Sequence, residues 1–246
     1  MIGGRIVGLN QDAVGWGLRR IILVLLLVGM GVGGYVALRQ SPAVNPQTAA
    51  ALREIAPLVA SVRAASFPQL MDLEISLEPM QSDYIYLESR FTFSSFFLAR
   101  KLRYMILINP EAFARHVPSD GLRAIVAHEL AHIDYFNRQS RMGLTSLIGL
   151  LWAPFAARFE RGADLEAIAL GYGPGLESFR KWLYRNVPAS RMEEKKRDYF
   201  SPEEIEAILL AVRQNPQIIG IFSACVPRGP AEIERESRNP GALCTH

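Results

Sequence analysis

The chain has 246 residues, 50% of them hydrophobic and 21% charged, with a net charge of +3. That balance excludes a disordered chain, a coiled coil and a collagen-like repeat. The excess charge sits in residues 1–39, where Arg5, Arg19, Arg20 and Arg39 outweigh Asp12. Residues 40–246 are neutral overall and lack the basic excess of a nucleic-acid binder.

Residues 21–38 carry no charge over 18 positions. A helix of that length rises about 27 Å, close to the roughly 30 Å hydrocarbon core of a bilayer. The segment predicts one transmembrane anchor behind a cytoplasmic stretch, residues 1–20. A cleaved signal peptide is the alternative, but Val36-Ala37-Leu38-Arg39 is a poor cleavage site. Three arginines precede the span and one follows it, which orients residue 1 to the cytoplasm and the remainder to the extracytoplasmic side.

Pro42 and Pro46 mark residues 39–46 as a linker, and residues 47–246 read as one domain. Leu52, Ile55, Val59 and Val62 predict a helix over 47–65. Leu73, Ile75 and Leu77 alternate with polar neighbours, and the aromatic stretches 84–87 and 91–97 also read as strand-like. Tyr104–Ile108 is a compact apolar strand ended by Asn109-Pro110. A helix capped by Ser119 or Asp120 follows, with Leu122, Ile125, Val126, Leu130 and Ile133 on one face. Helices are predicted over 142–153, 155–170 and 175–186, and another from Ser201, where Ser201-Pro202-Glu203-Glu204 has the capping-box pattern. Lys195, Lys196 and Arg197, beside Glu193 and Glu194, read as a solvated surface. Strands first and helices after predict an α+β domain. Cys225 and Cys244 are compatible with a disulfide closing the tail or with two separate thiols.

The chemistry concentrates in His128-Glu129-Leu130-Ala131-His132, an H-E-x-x-H holding two of the four histidines. On a helix, imidazoles at i and i+4 share one face and can share a tetrahedral cation. Glu129 adjoins the first ligand, where a carboxylate can act as general base without binding the metal. Catalytic zinc wants three protein ligands and one open position, so a third ligand must come from elsewhere. Asp134, Glu160, Asp164 and Glu166 are the candidates, and Asp134 is spaced to point away from the histidine face. Glu160 and Asp164, at i and i+4 on the next predicted helix, suit a ligand and a carboxylate that orients a ligand histidine.

Asp120–Ile133, DGLRAIVAHELAHI, with the later Glu160-Arg161-Gly162-Ala163-Asp164, resembles the gluzincin metallopeptidases. The likeness is nearest to the branch of the membrane heat-shock proteases and CAAX prenyl proteases and covers residues 100–175. The resemblance implies a zincin-like domain with one zinc per chain on His128, His132 and Glu160. It makes Glu129 the base and Asp164 the carboxylate that orients a ligand histidine. Members of that branch often have several membrane spans, and often an upstream asparagine signature where this chain has Phe93-Ser94-Ser95-Phe96. Trp152-Ala153-Pro154 is similar to a stretch of the antibiotic-sensing transmembrane metallopeptidases.

A second uncharged run, residues 142–157, spans 16 positions between Arg141 and Arg158. A single crossing is excluded if His132 and Glu160 meet at one ion, and two crossings need about 40 residues where 27 separate these ligands. The run therefore reads as a buried helix broken at Pro154, or as a segment dipping into the membrane surface; burial is the simpler expectation. The expected function is a membrane-anchored zinc metalloendopeptidase acting on a protein or peptide substrate. Tyr104–Ile108 is expected to be the edge that pairs with substrate, and Tyr172 and Tyr199 are candidate oxyanion donors. The alternatives are a catalytically silent zincin scaffold and an anchored envelope protein without metal.

Overall fold

A computed structural model describes residues 46–98 and 101–244, so the expected cytoplasmic segment and membrane anchor lie outside the described residues. Helix α1 (Pro46–Ser66) turns Ile55, Val59 and Val62 into the core, the residues whose spacing predicted it. Three short strands follow: β1 (Ile75–Pro79), β2 (Leu87–Phe91) and β3 (Tyr104–Ile108). Their order is β1-β3-β2, with β3 parallel to β1 and antiparallel to β2. β3 is therefore the central strand, and the expectation that it is a substrate-pairing edge is wrong. Its buried Tyr104, Ile106, Leu107 and Ile108 fit a strand covered on both sides.

The aromatic stretch 91–97 is not a strand as a whole. Only Phe91 belongs to β2, and Phe93–Leu98 coils into the short helix α2. The Ser95 hydroxyl donates to the Thr92 carbonyl at 2.8 Å and accepts from the Arg103 N–H at 3.0 Å. These local bonds compete with the strand ladder and outweigh aromatic β-propensity.

After the single turn α3 (Glu111–Ala114), helix α4 (Ser119–Arg138) runs through the middle of the domain, buried on nearly every side. Its N-cap is Pro118 without a side-chain cap, so neither Ser119 nor Asp120 holds the expected position. Proline fixes an extended entry one residue early, and Asp120 falls in the first turn, where its charge favours the helix dipole.

The expected helix over 142–153 is replaced by a turn of helix, α5 (Arg141–Leu144), and a 3-10 segment, Thr145–Leu151. Gly149 lies under the Phe155 ring, where an added Cβ would stand 2.9 Å from it. Burial holds for Leu144, but Met142, Leu150 and Trp152 face solvent.

Helix α6 (Ala153–Ala169) starts with Pro154 in its first turn and ends at Gly171, whose φ of +90° lets the Tyr172 N–H reach the Ala167 carbonyl. Helix α7 (Gly173–Asn186) packs on α4 at a distance only glycine permits. A Cβ on Gly175 would stand 2.4 Å from the Asp120 carbonyl oxygen. Helices α8 (Ala189–Asp198), α9 (Pro202–Gln214), α10 (Ile218–Ala224) and α11 (Pro230–Arg238) complete the domain. α9 has the predicted capping box, with Ser201 and Glu204 bonding each other's backbone N–H. Cys225 and Cys244 are disulfide-bonded, their Cα atoms 5.5 Å apart. The architecture is a mostly helical α+β fold on a three-stranded sheet, and among the described residues no helix is long and apolar enough to cross a membrane.

Candidate metal centre

The centre of α4 places His128 and His132 one turn apart on one face, both buried. α6 lies alongside and presents Glu160 and, one turn on, Asp164. The Nε2 atoms of the two histidines are 3.1 Å apart, and Glu160 Oε2 lies 3.2 Å from His128 Nε2 and 3.1 Å from His132 Nε2. These side chains form the one group among the described residues whose donor atoms lie close enough to hold an ion together. Tetrahedral bonds of about 2.0–2.2 Å hold ligand atoms roughly 3.3 Å apart, so the triangle has the size such an ion requires. Glu160 is the most open corner, its side chain 23% exposed against 2% and 7% for the histidines. Asp134 instead pairs with Arg138 at 3.0 Å, and neither it nor Glu166 joins the group.

Asp164 is fully buried behind the histidines. Its Oδ1 accepts from His128 Nδ1 and from Arg180 Nη2, each at 2.8 Å, and its Oδ2 accepts from the Phe200 N–H at 3.2 Å. With Nδ1 carrying the proton toward Asp164, the Nε2 lone pair of His128 is left for a metal. Asp164→Asn, which keeps the shape and removes the charge, is expected to weaken divalent-cation affinity, probed with added zinc, about 10–100-fold. Competition against a fluorescent zinc chelator measures this, and unchanged affinity would remove Asp164 from the centre.

Burial alone would lower the pKa of His128, but its bonds to Asp164 and Glu160 and the charges around it raise it to about 10. Burial would raise Glu160, yet the two histidines hold it well below the usual carboxylate range. The metal-free cluster thus keeps a proton that a divalent cation must displace, and affinity climbs with pH. The linkage has two signs. The raised His128 contributes stability that is fully present below its ordinary 6.5 and lost as pH rises toward about 10. The lowered Glu160 contributes stability present above its ordinary 4.5 and lost as pH falls through its depressed value. The melting temperature of the metal-free chain should therefore fall between pH 6.5 and 10, while zinc-saturated chain escapes that fall. Thermal melts with and without chelator test this, and parallel curves would contradict it.

Glu129 lines the same small cavity as His128, and its Oε2 accepts from the Ser89 N–H at 2.7 Å. The Tyr86 carbonyl accepts from Asn109 N–H, and Thr92 N–H donates to the Arg103 carbonyl. In this register the backbone groups of Glu88 and Arg90 also face β3, while those of Leu87, Ser89 and Phe91 face outward. The outer edge of β2, not β3, thus borders the centre.

A small cavity beside His128 and Glu129 is closed by Tyr84, Arg180, Lys195 and Tyr199. Sequence reasoning missed Lys195 as a site residue. Only 7% exposed, it is not part of a solvated surface. Its Nζ lies 5.0 Å from the Tyr199 ring centre and 5.3 Å from that of Tyr84, with no hydrogen-bond acceptor among the described residues. Burial pushes its pKa down, partly opposed by the charge of Glu160. The ring of Tyr199 lies 6.0 Å from that of His128, and Arg180 Cζ sits 4.3 Å from its centre. Burial, then the charge of Glu160, raises the Tyr199 phenol well above 10, so it remains a donor. Tyr172 instead bonds Ser66 Oγ at 2.7 Å and does not line the cavity. No known protein family matches the chain, and neither a curated protein nor a solved structure does so.

Proposed function

We propose that the chain is a membrane-anchored zinc metalloendopeptidase whose residues 47–246 form a zincin-like domain. One observation carries the reading. Two helices bring His128, His132 and Glu160 to a triangle of 3.1–3.2 Å, with Glu129 beside it on the Ser89 N–H. A zinc ion held by that triangle would supply Lewis acidity toward water and the scissile carbonyl. Glu129 takes the proton of the attacking water and returns it to the leaving amine. The outer edge of β2 offers backbone groups to an extended peptide. Lys195 and Tyr199, which line the cavity beside His128, donate to the carbonyl oxygen as it gains charge.

The uncharged run 21–38 and the arginines before it support a single-pass anchor with its N-terminus cytoplasmic. The Cys225–Cys244 disulfide agrees with a domain on the oxidising, extracytoplasmic side. The test uses the full chain in detergent, with metal content by elemental mass spectrometry and hydrolysis of an unfolded protein. One zinc per chain, with activity lost to a chelator and restored by zinc, is the expected result. Absence of metal would overturn the reading. Bound zinc without hydrolysis would favour the silent scaffold.

A further inference from the structure

Four large apolar side chains stand exposed on the segments that adjoin the two ligand helices: Met142 at 81%, Trp152 at 68%, Phe97 at 53% and Leu150 at 38%. Three belong to the connector between α4 and α6. Phe97 lies on α2, which the connector holds through a bond from Arg141 Nη1 to the Phe96 carbonyl. A series of ring contacts joins this face to the centre. Phe159 stacks on His132 at 4.5 Å and meets Phe136 at 6.0 Å; Phe91 links Phe136 to Phe96, which meets Phe97 at 4.8 Å.

Cations prevail in the segments that carry these side chains. Among the described residues, 92–98, 101–110 and 135–159 contain five arginines and lysines and no aspartate or glutamate, with Asp134 and Glu160 at their borders. Arg103 and Arg138 reach Glu74 and Asp134. Lys101 and Arg158 are exposed and have no acidic partner among the described residues. Apolar side chains with a tryptophan among them, rimmed by cations, match the layering of a lipid interface, where acyl chains lie under anionic headgroups.

We propose that this face docks on an anionic phospholipid bilayer. Trp152, Met142, Leu150 and Phe97 enter the interface, and Lys101 and Arg158 meet the headgroup phosphates. From Trp152 to Glu160 along α6 is about 12 Å, so docking holds the metal centre next to the membrane surface. Docking does not depend on the peptidase reading, and its test does not read hydrolysis.

The experiment reconstitutes the full chain into vesicles of phosphatidylcholine with phosphatidylglycerol, carrying bromine on the acyl chains. The difference between wild-type and Trp152→Phe emission isolates that ring from the other tryptophans. Brominated lipid is expected to remove at least about half of this difference emission, as for a ring at acyl depth. In phosphatidylcholine alone, and in the Lys101→Gln/Arg158→Gln variant, quenching should fall by at least half. Trp152 emission that bromine leaves unchanged in the mixed vesicles would overturn the proposal. So would equal quenching with and without the anionic lipid, which would place the ring at a membrane for reasons other than this surface.

Discussion

Replacing Glu129 with glutamine should lower kcat/KM on an unfolded protein substrate about 10³-fold and leave one zinc bound per chain. Glutamine has the same shape, and its carbonyl oxygen can still accept the Ser89 N–H that holds Glu129 at 2.7 Å. The three donor atoms of His128, His132 and Glu160 are untouched, so the metal has no reason to leave. What is lost is a group able to take a proton from water and return it. The two readouts are taken on one sample: turnover under substrate-limited conditions, and zinc by elemental analysis. Lost turnover with retained zinc assigns Glu129 to chemistry. Full turnover in the variant would remove the general-base role and the peptidase mechanism built on it.

The parts of the domain legible in the sequence are those governed by local pattern. The H-E-x-x-H lies on a helix with an apolar face, and Ser201 and Glu204 cap α9, because period and capping depend on neighbours in the chain. Glu160 and Asp164 could be paired with the histidines by i, i+4 spacing together with the chemistry of the site. Within the stretch 91–97, residues 93–97 are helical and not a strand because β-propensity of aromatic residues yields to three bonds around Ser95, which involve a backbone group eight residues away. α8 was illegible for another reason. Its sequence ASRMEEKKRD has almost no apolar face, and Lys195 is buried by its aliphatic stem and by the rings of Tyr84 and Tyr199, which hydropathy does not register. The central place of β3 depends on strand pairing, which a short apolar run does not specify.

Lys195→Met is the change expected to have the next largest effect. Methionine fills the space of the aliphatic stem and tolerates the two tyrosine rings, so zinc content and melting temperature should stay near wild type. The ammonium donors toward the cavity disappear. If they meet the carbonyl oxygen as it becomes negative, kcat should fall about 10²-fold with little change in KM, since the interaction strengthens only in the transition state. A lysine that only supported the fold would show its loss in the melting temperature, and one that only held substrate would show it in KM. Titration adds a readout. Burial lowers the Lys195 pKa from 10.5, so the wild-type rate should decline on its alkaline side before an ordinary lysine would titrate. Lys195→Arg keeps a charge that does not titrate there and should recover part of kcat while moving that decline to higher pH. Tyr199→Phe, which removes one neutral donor, should cost less than Lys195→Met, because a charged donor bonds more strongly to an oxyanion. Loss of kcat in Lys195→Met without any change in the alkaline limb in Lys195→Arg would mean that the ammonium does not meet the reacting oxygen. Tyr199, Tyr84 and Arg180 would then be the donors left lining the cavity beside His128.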